Sequence, residues 1–377
     1  MNSTIVKPNL QSTNNSKAHR QPSGGEPTIR SSSVFPKLRD TKFGILHFVA
    51  LGYALSTNLI GLFLLLQAAS FATILTGILL SAHGRVVASY MVHEAAHASI
   101  FVTPWANRWC GVVALWLAGC PYADFMHVKR MHLSHHQDRA DTVEFDYRMT
   151  VQRHVLLRYA VVAAEYCFVP MVETIMHLRT AIYPILWPHQ VTSSRFRSAV
   201  IGTPCFVLFY VALWYARGWK LVVLQAISGA FVLQFLALND AFHHTYEAIL
   251  MKDYVPGPGP RTAAYEESNT YSNLISTKYP FVNLLSLNFG YHNAHHQKAI
   301  VPWYSLPTLH RKLYGDPGTD APRAQPQTLP FTDILWAWYT HRITRVMQHD
   351  YGVVHPPDHP SRAIDFIGSL GVSFLTV

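Results

Sequence analysis

Apolar residues in this chain come in blocks longer than a soluble core needs. From Phe43 to Ala82, forty residues pass without an Asp, Glu, Lys or Arg, and a helix needs about 20 apolar residues to cross the hydrocarbon of a bilayer. The block reads as a hairpin of two spans. Ser198 to Ala216 and Leu221 to Asn239 are again uncharged, divided by Arg217, Gly218, Trp219 and Lys220, and form a second hairpin. Between the hairpins, Trp109 to Tyr122 is an uncharged run of fourteen residues, a length suited to an interfacial or re-entrant segment. His154 to Trp187 is interrupted by Arg158, Glu165, Glu173 and Arg179 and reads as amphipathic helices lying at the interface. The pattern predicts an all-α integral membrane protein: four transmembrane helices in two hairpins, interfacial helices, and a histidine-rich cap on the cytosolic side.

The ends of the chain are polar. Fourteen of the first 33 residues are Ser, Thr or Asn, mixed with Pro8, Pro22 and Pro27 and without apolar period, so residues 1–42 read as a disordered cytosolic tail. No short apolar core precedes Phe43, and a cleaved secretory signal is not expected. Before Phe43 seven bases (Lys7, Lys17, Arg20, Arg30, Lys37, Arg39 and Lys42) face two acids, whereas the opposite loops offer only Arg217 and Lys220. The positive-inside rule then places both termini in the cytosol. Residues 43–313 form the membrane domain, and 314–377 a C-terminal cytosolic segment of the cap. Half the residues are apolar and 14% charged, which excludes a disordered chain as a whole. The net charge of +9 flanks the apolar runs, so the expected acidic partner is a membrane surface and no nucleic acid. Cys110, Cys120, Cys167 and Cys205 lie in apolar segments without metal-type spacing and read as core residues.

Histidine changes the picture. Its 22 residues outnumber the 21 Asp and Glu together, and eight fall in three clusters: HEAAH (His93, His97), HLSHH (His132, His135, His136) and HNAHH (His292, His295, His296). In the first, i and i+4 share one side of a helix and both rings can face one metal. In HxxHH, the i and i+3 rings are expected to share a face, with the adjacent third ring about 100° away and suited to a second metal. A lone imidazole at an interface needs no ligand role, but three clusters at such spacing do. Eight rings exceed what one ion holds, and imidazole suits iron, zinc and copper alike. After the second cluster, Asp138, Asp141, Glu144 and Asp146 either orient a ligating ring through its other N–H or line a solvated loop. HEAAH also fits the zinc-hydrolase pattern HExxH, with Glu94 as base of a membrane protease, but that leaves HLSHH and HNAHH unexplained. A transport role finds no support, because the predicted spans carry no charge and Asn58, Gln225 and Gln234 make no pathway.

Three boxes in this order around four spans resemble the membrane-bound fatty acid desaturase and hydroxylase superfamily, over about Phe43 to Leu313. The stretch YHNAHHQKAIVPWYSLPTLHRKL is similar to that family's third box and its continuation. The resemblance implies two non-haem iron ions that use O2 on an unactivated C–H bond of a lipid chain, with fatty acyl desaturation as the expected outcome. A hydroxylase or ketolase acting on an acyl, carotenoid or terpenoid chain is the alternative. It also implies an external electron donor, cytochrome b5 or ferredoxin; the Ser/Asn-rich tail and the absence of a secretory signal point to the endoplasmic reticulum membrane for a eukaryotic source, or a bacterial inner membrane otherwise. The family adds a ninth histidine after the fourth span. Here NDAFHHTYE offers His244, whose following Thr fits best, and His243, one turn beyond Asn239, which would hold a water on the metal. His127, five residues before the second box, stands as a further candidate. Tyr122, Tyr291, Trp303 and Tyr304 need no catalytic reason at an interface.

Overall fold

The computed structural model describes residues 35–369 apart from 144, 146, 247, 251–258, 260, 316–319, 349–351 and 353–364. Most of the expected tail, with Glu144 and Asp146, lies outside the described residues. Among the described residues, four helices are long and apolar enough to cross a membrane: α1 (Ile45–Gln67), α2 (Phe71–Ala96), α8 (Ser193–Arg217) and α9 (Trp219–Ala241). At 1.5 Å per residue, 23 residues reach about 35 Å, enough for the hydrocarbon with some tilt. Each pair is joined by a turn in the left-handed region, at Ala68 (φ 40°) and Gly218 (φ 70°). Ser70 then starts α2 by accepting a hydrogen bond from the Thr73 amide at 3.1 Å.

Shorter elements sit between and after the spans. They are α3 (Pro104–Ala118), α4 (Phe125–Asp138), α5 (Tyr147–Arg153), α6 (Val155–Tyr166), α7 (Met171–Leu186), α10 (Ala263–Ser268), α11 (His292–Gln297), α12 (Leu306–Tyr314), α13 (Phe331–Thr340) and α14 (Arg342–Met347). Two three-residue strands, β1 (Asp141–Val143) and β2 (Ala248–Leu250), pair in parallel with Asp141 opposite Ala248. At 15 residues α3 is too short to span and packs on α2. Helices α6 and α7 meet at a bend of 120°, and their outer faces expose Leu156, Tyr159, Leu178 and Ile182.

Two expectations change. The apolar block was expected to end near Ala82, but α2 continues unbroken to Ala96, with every residue from Gly84 to Ala96 buried. It therefore carries Arg85 inside a span. The hydropathy pattern breaks there because this part of α2 faces protein, packed by α1, α3, α4 and α9, and not lipid. Residues 36–42, expected within the disordered tail, are held by the turn after the first box. The Arg39 amide bonds Ile100 O at 2.9 Å, Val102 N bonds Lys37 O at 2.9 Å, and Arg39 Nε bonds Ala98 O at 2.7 Å.

The α1–α2 contact depends on small residues. A Cβ added at Gly61 would lie 2.6 Å from Ser81 N and 2.7 Å from Gly77 O, so only glycine lets these backbones approach. Gly61→Leu is expected to destabilise the protein by about 1–3 kcal/mol, the usual cost of overpacking. Thermal unfolding in detergent checks this against Gly52→Leu, where an added Cβ meets nothing within 4 Å.

Candidate metal centre

The histidines come from four places. Helix α2 ends in His93 and its cap His97; α4 carries His132, His135 and His136; the turn after α9 supplies His244; and α11 carries His292, His295 and His296. Local bonds fix each of them. Asp124 caps α4 by accepting from Met126 N at 3.3 Å and also takes the Ser194 hydroxyl at 2.9 Å, tying α4 to the start of α8. The His244 turn pairs with Thr270, with Tyr271 N on His243 O at 2.9 Å and Thr245 N on Asn269 O at 3.1 Å. In α11, Asn293 accepts from Ser272 Oγ at 2.8 Å and donates to Thr270 O at 2.8 Å.

Nine imidazoles converge as two groups, within each of which the ligand atoms lie within 4.8 Å of one another. One holds His93, His97, His132, His136 and His295; the other His135, His244, His292 and His296. The division corrects the expected pairing inside HxxHH. In both boxes the i and i+4 rings share a group, and the i+3 ring crosses to the other. On a helix, i+4 falls about 40° to one side of i and i+3 about 60° to the other, so the two neighbours part around the first.

Ring nitrogens face one another closely. The Nε2 to Nε2 distances are 3.0 Å for His93–His295, 2.7 Å for His97–His132, 3.3 Å for His132–His136 and 3.2 Å for His136–His295. In the second group they are 3.1 Å for His135–His244 and 2.7 Å for His244–His292. Two nitrogens about 2.1 Å from one ion and at right angles to it would stand about 3.0 Å apart. Some of the other nitrogens meet acceptors: His296 Nδ1 bonds Glu266 at 3.1 Å and His244 Nδ1 meets the Thr270 hydroxyl at 3.4 Å, while Asp141 stands 2.9 Å from His135 Nδ1 without hydrogen-bond alignment and Glu94 lies 3.8 Å from His93 Nδ1. A proton held at Nδ1 leaves the Nε2 lone pair pointing inward. Burial, then repulsion from neighbouring imidazoles, pushes His97, His136, His244, His292 and His296 well below the usual histidine range. These five rings are therefore neutral donors, and the converging nitrogens of the two groups form a set that fits a cation and is poorly satisfied without one.

Other candidates lie elsewhere. His243 is buried with its ring stacked on His292 at 4.4 Å, outside both groups. Asn239 turns back on α9, donating to Phe235 O at 2.8 Å. His127 is buried on α4 and joins neither group. Asp138 meets Arg261 through its carbonyl, at 2.7 Å. Glu94 accepts from the Ser99 hydroxyl at 2.6 Å and from Trp303 N at 3.3 Å, a buried brace between α2 and the segment after α11. Glu266 escaped the sequence reading because no motif surrounds it; besides His296 it takes Arg139 Nε at 2.8 Å. Tyr122 meets His177 at 3.1 Å, Tyr304 donates to Asp40 at 2.9 Å, and Tyr291 packs on His310, all apart from the two groups.

Comparison with known proteins gives the same family as the boxes. Sphingolipid delta(4)-desaturase of Homo sapiens is 27% identical over 224 residues, 58% of this chain and 59% of that protein. The rice protein described as sphingolipid delta(4)-desaturase-like is 25% identical over 216 residues, 56% of this chain and 55% of its own. The Candida albicans sphingolipid delta(4)-desaturase is 23% identical over 267 residues, 66% of this chain and 62% of its own. The match thus spans about three fifths of the length of these relatives. Residues 68–326, which carry all three boxes and both histidine groups, match the fatty acid desaturase family, and the chain belongs to it.

Proposed function

We propose that this protein desaturates a lipid chain at a pair of non-haem iron ions held by the nine histidines. One observation carries the reading: two adjoining groups of five and four imidazoles, with their ring nitrogens about one ligand edge apart. Relatives named as sphingolipid desaturases support a lipid substrate. The irons would supply the oxidising power, with O2, two protons and two electrons from an external cytochrome b5 or ferredoxin, to take two hydrogens from the chain and release two waters.

The protein's own part follows from position. His93, His132, His135, His244, His292 and His295 are at most 3% exposed, so bulk water is kept from the reacting carbon. Glu266 holds the Nδ1 proton of His296, which fixes that ring's orientation and makes its Nε2 a stronger donor, and the Asp141 carboxylate stands 2.9 Å from His135 Nδ1. An acyl chain entering from the bilayer meets the ends of α2 and α9, where His93, His97 and His244 are delivered. The termini and the histidine face lie in the cytosol on this reading, where a soluble electron donor can reach them.

Elemental mass spectrometry of protein from iron-supplemented cells is expected to give two metals per chain, and lipid profiling of those cells an unsaturated product; an alcohol instead would assign hydroxylation. His135→Ala and His295→Ala, one from each group, should each remove turnover and lower the metal content; wild-type activity in either would sink the ligand assignment. Asp141→Asn should leave the ligand count intact but weaken metal retention about 10–100-fold, read by competition with a chelator. Glu94→Gln keeps an acceptor for Ser99 and Trp303, so lipid oxidation should persist. A zinc protease relying on Glu94 would instead be inactive.

A further inference from the structure

Arg85 is used neither by the metal centre nor, among the described residues, by any ion pair. It sits on α2 eight residues before His93 (93 − 85), about 12 Å along the helix axis, and is 8% exposed. Its Nη2 donates to the Ser81 hydroxyl at 3.2 Å and to the Ser228 hydroxyl at 3.5 Å. Nε and Nη1 make no hydrogen bond among the described residues, and no carboxylate pairs with the group there. A guanidinium stays charged at any ordinary pH, and an ionised side chain inside a span marks a ligand or a pathway more often than a packing contact.

Arg85 borders a cavity of about 350 Å³ between α1, α2, α3, α8 and α9. Leu59, Leu62, Trp116 and Phe206 give it an apolar wall, and Asn58 and Gln225 add polar groups beside Arg85. Gln225 is 4% exposed, and its Oε1 is buried with no hydrogen-bond partner. One fixed cation and one unsatisfied amide, set in a small apolar chamber away from the histidines, form a built site for a single polar group on a hydrocarbon.

We propose that this cavity binds the carboxyl group of a single-chain, long-chain amphiphile. The carboxylate meets the unused N–H groups of Arg85, the Gln225 amide, turned over so that Nε2 takes the place of the unpartnered Oε1, donates a hydrogen bond to it, and the chain lies along the apolar wall. One cation matches one carboxylate charge, and the volume is at the small end for an organic ligand, too small for the two chains of a phospholipid. The carboxyl belongs either to the substrate or to a resident fatty acid. The site is separate from the histidine groups and does not rest on the iron reading.

The probe is 9,10-dibromostearic acid, whose bromines quench tryptophan, added to the purified full-length protein in detergent. Trp116→Phe defines the part of the signal that belongs to the cavity. Saturable quenching is expected, relieved by stearic acid and not by methyl stearate or octadecane. Arg85→Met should weaken binding at least tenfold, with Arg85→Lys recovering part of the loss. Gln225→Leu replaces an unsatisfied amide with an apolar side chain of similar size, so it should fold and bind several-fold more weakly. Equal competition by methyl stearate, or wild-type binding in Gln225→Leu together with any Arg85→Met protein that folds, would overturn the proposal. A raised KM for lipid oxidation in Gln225→Leu makes the carboxyl the substrate's; weakened binding with unchanged KM makes it a resident fatty acid's. Either outcome supports the site.

Discussion

Nine buried imidazoles must be held with their lone pairs turned toward one another, and this constraint orders the rest of the molecule. Neutral nitrogens at about 3 Å repel when neither carries the shared proton, so a flexible scaffold would let the rings rotate apart. The protein answers with rigid delivery. Helix α2 is enclosed along its last three turns, Asp124 and Ser194 fasten α4 to α8, and Asn293 locks α11 to the segment at Thr270. Outside the rings, Glu266 retains the His296 proton that would otherwise occupy an inward nitrogen, and Asp141 sets its carboxylate 2.9 Å from His135 Nδ1.

Much of this was legible in the sequence, and what was not has physical causes. Uncharged runs of span length located all four long helices, because a bilayer imposes a length and a polarity that little else does. The box spacings singled out eight of the nine clustered histidines, and His244 needed the family resemblance because it stands alone after α9. The partition inside HxxHH was misjudged because two residues lying on one face do not thereby share a focus; the relative pose of α4 and α11 decides, and that is a tertiary fact. Glu266 lies 26 residues (292 − 266) before the third box in a stretch without pattern, and only the fold carries it to His296.

Arg85 shows the opposite limit of a hydropathy reading. A charge ends an apolar window on paper, yet α2 continues because its neighbours, and not lipid, surround it. The small-residue seam at Gly61, Gly77 and Gly84 draws α1 close on one side. Beside that seam a cavity between α1, α2, α3, α8 and α9 stays open around the guanidinium. Tight packing and an open chamber thus adjoin one another on the helix that ends in His93 and His97.

The crossing of the i+3 rings has a consequence for assembly. The second box gives two rings to one group and one to the other, and the third box reverses the proportion. No group can therefore be completed by residues near in sequence, and neither can form while the other is distorted. An ion entering one group would draw α4 and α11 into register and set three rings of the other group in place, lowering the ordering cost for a second ion. Occupancy would then be close to all or none, with singly loaded chains scarce even when metal is limiting.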